Sequence, residues 1–126
     1  MIVYTMVGTT DLPRAIRFYD PIFAVLGLEP CWRDEQSTSW GTKADPRSPR
    51  FFVGYPFDGG AAGVGNGAMT AFWAKTTNQI ERCHALALAG GGACEGPPGP
   101  RPQYGDTFFG AYVRDPDGNK IAFVCF

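Results

Sequence analysis

The first half of the chain alternates between two hydrophobic periods. Apolar, β-branched and aromatic residues dominate four short runs, which predict strands at 1–8, 28–33, 38–43 and 51–55. Between the first two runs, apolar residues recur at helical spacing and form a core-facing stripe: Leu12, Ile16, Tyr19, Phe23 and Leu26. This half therefore predicts a strand, a helix and three further strands.

The predicted first helix has clear ends and an interrupted middle. Asp11 supplies a capping side chain, and Pro13 lies in the first turn, where a missing N–H costs little. Pro21 removes a donor inside the helix and favours a kink or a restart at that point. Gly27 favours the end of the helix.

The second half repeats this order. A strand is predicted at 68–74, and Thr76–Asn78 then cap a helix, with Asn78 and Glu81 at capping-box spacing. The inner stripe of this helix consists of Ile80, Cys83 and Ala87. A short strand at 93–95 and a Pro/Gly-rich loop at 96–102 are expected to follow.

The chain ends in a predicted β-hairpin. Two apolar runs flank the segment Asp115–Asn119, which reads DPDGN. Asp-Gly between such runs is a strong hairpin signal, because the turn needs a positive φ that glycine adopts freely. The final strand is therefore expected to belong to a sheet.

The two halves indicate a duplicated module within a single domain. Thr9–Asp11 precede the first helix as Thr76–Asn78 precede the second, and the glycine-rich segment 58–67 separates the halves. We therefore expect module one at about 1–57, a linker at about 58–67 and module two at about 68–126. The fold class that follows is α+β, with two βαβββ modules.

Composition excludes several classes of partner. The chain has 126 residues, 18% of them charged, and a net charge of -1 with scattered Lys and Arg. We therefore expect neither nucleic acid nor a membrane surface as a partner, because both attract clustered positive charge. No apolar run approaches a membrane span, and the first residues lack a basic n-region, so we expect neither a membrane helix nor a signal peptide.

The cysteines and the single histidine limit the available chemistry. The four cysteines include no Cys-x-x-Cys pair, so we expect buried free thiols in a reducing cytoplasm, with no disulfide scaffold or zinc ribbon. His84 lies beside the core stripe of the second helix and is expected to have a packing or surface role. Histidine, the usual metal ligand and general base, therefore occurs only once in the chain.

This layout resembles the vicinal oxygen chelate superfamily, which includes glyoxalase I, bleomycin-resistance proteins and extradiol dioxygenases. The resemblance rests on Thr10–Leu12 with Phe18–Tyr19, on Gly65–Gly67 leading into 69–72, and on the DPDGN segment. It implies a cupped, barrel-like mixed sheet with helices outside and a central cavity. It also implies a homodimer.

The resemblance further implies a divalent metal held by His, Gln or Glu, but this sequence has other residues at those positions. The corresponding positions are Tyr4 on the first strand, Met69 on the first strand of module two and Ala122 on the last strand. The remaining position falls within 51–55, which contains no carboxylate or imidazole. Such side chains bind hard divalent ions poorly. We therefore expect no metal and no other cofactor.

The same positions predict an apolar cavity. By strand alternation, Met6 and Trp73 share the face of Tyr4 and Met69, and Ala122 adds a further apolar position. We expect this set to bind a small apolar or aromatic molecule, with the Tyr4 hydroxyl as a hydrogen-bonding group. No catalytic residue is identified.

The roles of three further residues stay open. A predicted loop near the cavity mouth contains Arg101, Tyr104 and Asp106, which either contact the ligand or belong to a solvated loop.

Three functional interpretations stay open. The first is a metal-independent, glyoxalase- or bleomycin-resistance-like protein that binds a small molecule. The alternatives are a metal-dependent lyase or dioxygenase of the same superfamily, and a dimeric interaction module with a vestigial cavity.

Overall fold

A computed structural model describes the whole chain, Met1–Phe126. It confirms the duplicated order of elements. Module one contains β1 (Tyr4–Gly8), α1 (Leu12–Val25), β2 (Glu29–Arg33), β3 (Ser37–Gly41) and β4 (Arg50–Gly54). Module two contains β5 (Thr70–Trp73), α2 (Thr77–Ala89), β6 (Ala93–Pro100), a short 3-10 helix (Pro102–Tyr104), β7 (Phe109–Arg114) and β8 (Lys120–Cys125).

Each module forms its own four-stranded mixed sheet. The strand orders are β1-β4-β3-β2 and β5-β8-β7-β6. In each sheet the first strand of the module pairs in parallel with the last, and the remaining pairs are antiparallel. No backbone ladder joins β1 to β5, so the two sheets do not close into a barrel.

The helices and one face of the sheets enclose a core that spans both modules. Phe23 of α1 lies 4.9 Å from Phe72 of β5, and Phe51 of β4 lies 5.0 Å from the same ring, measured between centroids. Burial of aromatic rings contributes strongly to stability, so this contact helps to hold the modules together. Neither helix has the length and apolar character needed to cross a membrane.

Two details of the helices differ from expectation: no restart occurs at Pro21, and the capping box does not begin at Asn78. Helix α1 continues through Pro21 without a restart, because Ile22 and Phe23, directly after the proline, are fully buried and hold the helix against the core. Helix α2 is capped by Thr76, whose hydroxyl accepts a hydrogen bond from the Gln79 N–H at 3.2 Å. The capping residue is therefore Thr76, two residues before Asn78, with which the predicted capping box would begin.

Strand β6 also extends further than expected. The predicted loop at 96–102 is largely strand, since Gly99 pairs with Gly110 and Pro100 with Phe109. Strand β6 lies at the edge of its sheet, where proline is tolerated because the N–H on the outer side has no partner to lose.

Candidate functional site

One face of the two sheets is turned away from the helices, and we call it the open face. Phe51, Val53 and Phe123 point into the core, so their strand neighbours point the other way. The open face contains Tyr4, Met6, Trp32, Ser39, Phe52, Met69, Ala71, Trp73, Tyr112, Lys120 and Ala122. It is the surface on which the sequence places a ligand.

A cleft lies between the modules on this face, and we call it the inter-module cleft. It has a volume of about 360 Å³ and is lined by Met6 of β1, by Met69 before β5, and by Asn119 and Lys120 of module two. Much of its remaining wall consists of Val64, Gly65 and Gly67 of the glycine-rich segment and of the adjoining Ala68. The structure therefore brings two predicted cavity residues, Met6 and Met69, to one opening.

The other predicted cavity residues lie apart from this cleft. Tyr4 packs edge-on against Phe52, with centroids 5.4 Å apart, and Trp73 packs edge-on against Phe126 at 5.0 Å. Trp73 lines a separate cavity of about 410 Å³ between the edges of β1 and β5. Ala122 pairs with Tyr112, is fully buried and lines none of the cavities.

The metal site implied by the family does not fit the side chains present. Nowhere in the chain do three His, Cys, Asp or Glu side chains lie close enough together to hold an ion. The phenol of Tyr4, the thioether of Met69 and the methyl group of Ala122 stand where hard oxygen or nitrogen donors would be needed.

The DPDGN turn connects module two to module one through Asp117. The carboxylate of Asp117 accepts hydrogen bonds from the Thr9 hydroxyl at 2.6 Å and the Thr10 N–H at 2.9 Å, and it pairs with Arg14 at 2.8 Å. Burial by itself would raise the pKa of Asp117, but these hydrogen bonds outweigh it and hold the pKa below its ordinary value.

Asp115 makes a second connection within the buried region. Its carboxylate accepts hydrogen bonds from the Tyr19 hydroxyl at 2.7 Å and from the Asn119 side-chain amide at 2.9 Å. The same Asn119 amide donates to the Gly8 carbonyl at 2.9 Å. Burial raises the pKa of Asp115, and burial together with Asp115 raises the pKa of Tyr19. Residues 9–19 of module one and the DPDGN turn of module two therefore meet in a hydrogen-bonded joint between the modules.

The single histidine faces a cysteine outside the open face. His84 Nε2 lies 3.3 Å from the Sγ atom of Cys94, and Cys94 is exposed. All four thiols are free, but only Cys83 is buried, so the expectation of uniformly buried thiols is wrong. Sequence reasoning missed this pair because its members lie on different elements, α2 and β6.

We expect Cys94 to be alkylated first and Cys83 last. Cys94 is the only exposed thiol of the four, so an alkylating reagent reaches it most readily. Burial raises the pKa of the Cys83 thiol to about 12. The check is iodoacetamide labelling at pH 7.5 with peptide mass spectrometry. Equal labelling rates at the two sites would contradict this assignment.

One buried hydroxyl on the open face has no partner. Ser39 is fully buried between Phe52 of β4 and Trp32 of β2, and its Oγ atom makes no hydrogen bond. Buried polar groups usually have a hydrogen-bond partner. The Ser39 hydroxyl is therefore an unpaired polar group between two aromatic residues. No sequence motif indicated it.

Of the three open loop residues, two line a small hollow on module two. Arg101 and Tyr104 line this hollow, of about 230 Å³, together with Glu95, Tyr112 and Lys120. Asp106 is exposed and lines no cavity.

The fold and this geometry define a protein of paired βαβββ modules with a cleft between them. The sequence model of the Glyoxalase/Bleomycin resistance protein/Dioxygenase superfamily matches residues 1–123. The chain belongs to this superfamily. No protein of curated function matches the sequence significantly.

Several solved structures share the fold. A glyoxalase/bleomycin resistance protein from Albidiferax ferrireducens T118 is 36% identical, with a TM-score of 0.86 over 98% of this chain and 97% of that one. A glyoxalase-related enzyme from Fulvimarina pelagi is 20% identical, with a TM-score of 0.76 over 98% and 86%. Lactoylglutathione lyase from Agrobacterium tumefaciens is 18% identical, with a TM-score of 0.66 over 98% and 92%.

Proposed function

We propose that this protein binds a small apolar or aromatic compound in the inter-module cleft, without a metal ion or other cofactor. The observation that carries the proposal is the lining of the cleft. Met6 and Met69 face one opening, and Met69 occupies a position where the family resemblance implies a metal ligand. Flexible thioether side chains adapt to apolar ligands of different shapes.

The exposed apolar side chains of the open face support the same proposal. Tyr4, Met6, Met69 and Trp73 are 61%, 49%, 48% and 55% exposed in the single chain. Large apolar patches on soluble proteins usually mark binding surfaces. We propose that a second copy of the chain covers part of this face, which would give a homodimer and enclose the ligand. Free thiols are typical of the cytoplasm, where we expect the protein to act.

A neutral fluorescent probe tests the ligand site. N-phenyl-1-naphthylamine brightens when it enters an apolar cavity, and we expect saturable binding to the wild-type protein. Met69→Gln keeps the length of the side chain but puts an amide against the ligand. We expect it to weaken binding about tenfold, because burying an amide without a partner is unfavourable by about 1–3 kcal/mol.

The matched control for this variant is Leu88→Gln. Leu88 is an exposed apolar residue on α2, on the other side of the molecule, and lines no cavity. It should leave probe binding unchanged. Equal weakening by both substitutions, or no saturable binding to the wild type, would overturn the proposal.

Metal content separates this proposal from the metal-dependent alternative. Purified protein should contain no stoichiometric metal, before or after incubation with zinc, nickel, manganese or iron, when measured by mass spectrometry. One metal ion per chain would favour a lyase or dioxygenase of the same superfamily. A stable dimer by light scattering that binds neither metal nor probe would favour the interaction module.

A further inference from the structure

Two positively charged side chains flank one aromatic ring on the open face. The guanidinium of Arg101 lies 5.5 Å from the ring centroid of Tyr112, and the ammonium of Lys120 lies 5.9 Å from the same centroid. Lys120 stands two residues before Ala122, the partner of Tyr112 across the β7–β8 ladder, so all three share a face. Both cationic residues also line the same hollow of about 230 Å³.

Arg101 is held in position by the backbone. Its guanidinium donates hydrogen bonds to the carbonyl oxygens of Pro97 at 2.6 Å and Pro100 at 3.2 Å. These bonds orient the guanidinium without neutralising it, because their acceptors carry no formal charge. A cation fixed in this way loses little side-chain entropy when an anion binds.

The positive charge at this place is not balanced by carboxylates. Neither Arg101 nor Lys120 forms a salt bridge. Glu95, which lines the same hollow, is already paired with Arg114 at 2.8 Å. Arg101, Lys120 and Arg114 thus outnumber the single carboxylate, in a chain whose net charge is -1. A local excess of this sign attracts anions.

Lys120 also connects this charged region to the inter-module cleft. It lines the hollow that contains Arg101 and Tyr112, and it lines the inter-module cleft with Met6 and Met69. A molecule whose apolar part lies in the cleft would place an anionic group at its other end beside the Lys120 ammonium. Charge-assisted hydrogen bonds to a carboxylate or sulfonate are about twice as strong as neutral ones.

We propose that the ligand is an apolar organic anion, with its apolar part in the inter-module cleft and its carboxylate or sulfonate bound by Lys120 and Arg101. This inference rests on the proposed function, because it assigns the charged end of the same ligand. Lys120 and Arg101 are then binding residues that select anionic over neutral compounds.

Two probes with one skeleton separate the two proposals. 8-Anilinonaphthalene-1-sulfonate is N-phenyl-1-naphthylamine with an added sulfonate, and both report binding by fluorescence. We expect Lys120→Gln and Arg101→Gln each to weaken binding of the sulfonate about tenfold. Binding of the neutral probe should change less than about twofold, and this result also shows that each variant is folded.

The control and the salt dependence complete the test. Lys43→Gln removes the same charge at an exposed loop residue that lines no cavity, so it should leave sulfonate binding unchanged. Added salt should weaken sulfonate binding to the wild type more than to Lys120→Gln.

Each result has a separate meaning. Suppose that sulfonate binding is insensitive to both substitutions while neutral-probe binding still depends on Met69. That result would overturn the anion site but would support the proposed binding of apolar compounds in the inter-module cleft. Failure of both probes to bind the wild type would overturn both proposals.

Discussion

Replacing Phe23 by alanine should lower the free energy of unfolding by about 3–5 kcal/mol. Phe23 is fully buried in α1, and its ring lies 5.1 Å from that of Trp40 and 4.9 Å from that of Phe72, between centroids. Trp40 belongs to module one and Phe72 to module two. Truncation would therefore leave a cavity at the contact between the modules, which neither module can fill alone. Urea denaturation followed by circular dichroism measures the change.

Phe57→Ala is the matched control for this prediction. The same atoms are removed, but Phe57 is fully exposed, so the expected change lies within about 0.5 kcal/mol. If Phe23→Ala cost as little as Phe57→Ala, the two modules would not share the tightly packed core described here.

Replacing Asp115 by alanine should lower the free energy of unfolding by about 2–4 kcal/mol, because buried donors would lose their acceptor. The Tyr19 hydroxyl and the Asn119 side-chain amide both donate to the Asp115 carboxylate, at 2.7 Å and 2.9 Å. Its other oxygen accepts from the N–H groups of Asp117 and Asn119 within the turn. The variant thus loosens both the hairpin and its joint with module one. Thermal and urea denaturation measure the loss.

Asp106→Ala tests whether the effect is specific to that joint. Asp106 is an exposed carboxylate in a loop, so its removal should change stability by no more than about 0.5 kcal/mol. A second readout is the environment of Trp40, whose ring lies 5.5 Å from that of Tyr19. Its near-ultraviolet signal should change in Asp115→Ala. Equal stability of the two variants would show that the Asp115 network contributes nothing.

Sequence reasoning succeeded for the order of elements and failed where distant residues decided the outcome. Hydrophobic period and turn chemistry act over a few residues, which is why the DPDGN turn was predictable and Gly118 indeed has a φ of 93°. The predictions of a restart at Pro21 and of a loop at 96–102 are wrong, because contacts with distant residues decide the structure at both places. Burial of Ile22 and Phe23 overrides the proline, and pairing with β7 makes a strand of a segment that local composition marks as loop.

In the candidate site, too, local patterns predict some features and distant contacts decide others. Strand alternation predicts that Met6 and Met69 share a face, because the period of a strand depends on backbone geometry alone, and both residues line the inter-module cleft. It also placed Lys120 on the face of Ala122, a signal that was available but not used. Alternation does not reveal that Ala122 is covered, that Trp73 lines another cavity, or that Arg101 reaches Tyr112 from a loop.

The sequence by itself therefore determined the two βαβββ modules, the family resemblance and the absence of hard metal ligands at the matching positions. These depend on local periodicity and on residue identity. Only the tertiary structure decided that the sheets stay open and that Lys120 lines both the inter-module cleft and the hollow around Arg101 and Tyr112. It also decided that Asp115 and Asp117 join the modules, and that His84 meets Cys94. These contacts connect segments far apart in the chain, so their formation depends on how the two modules pack.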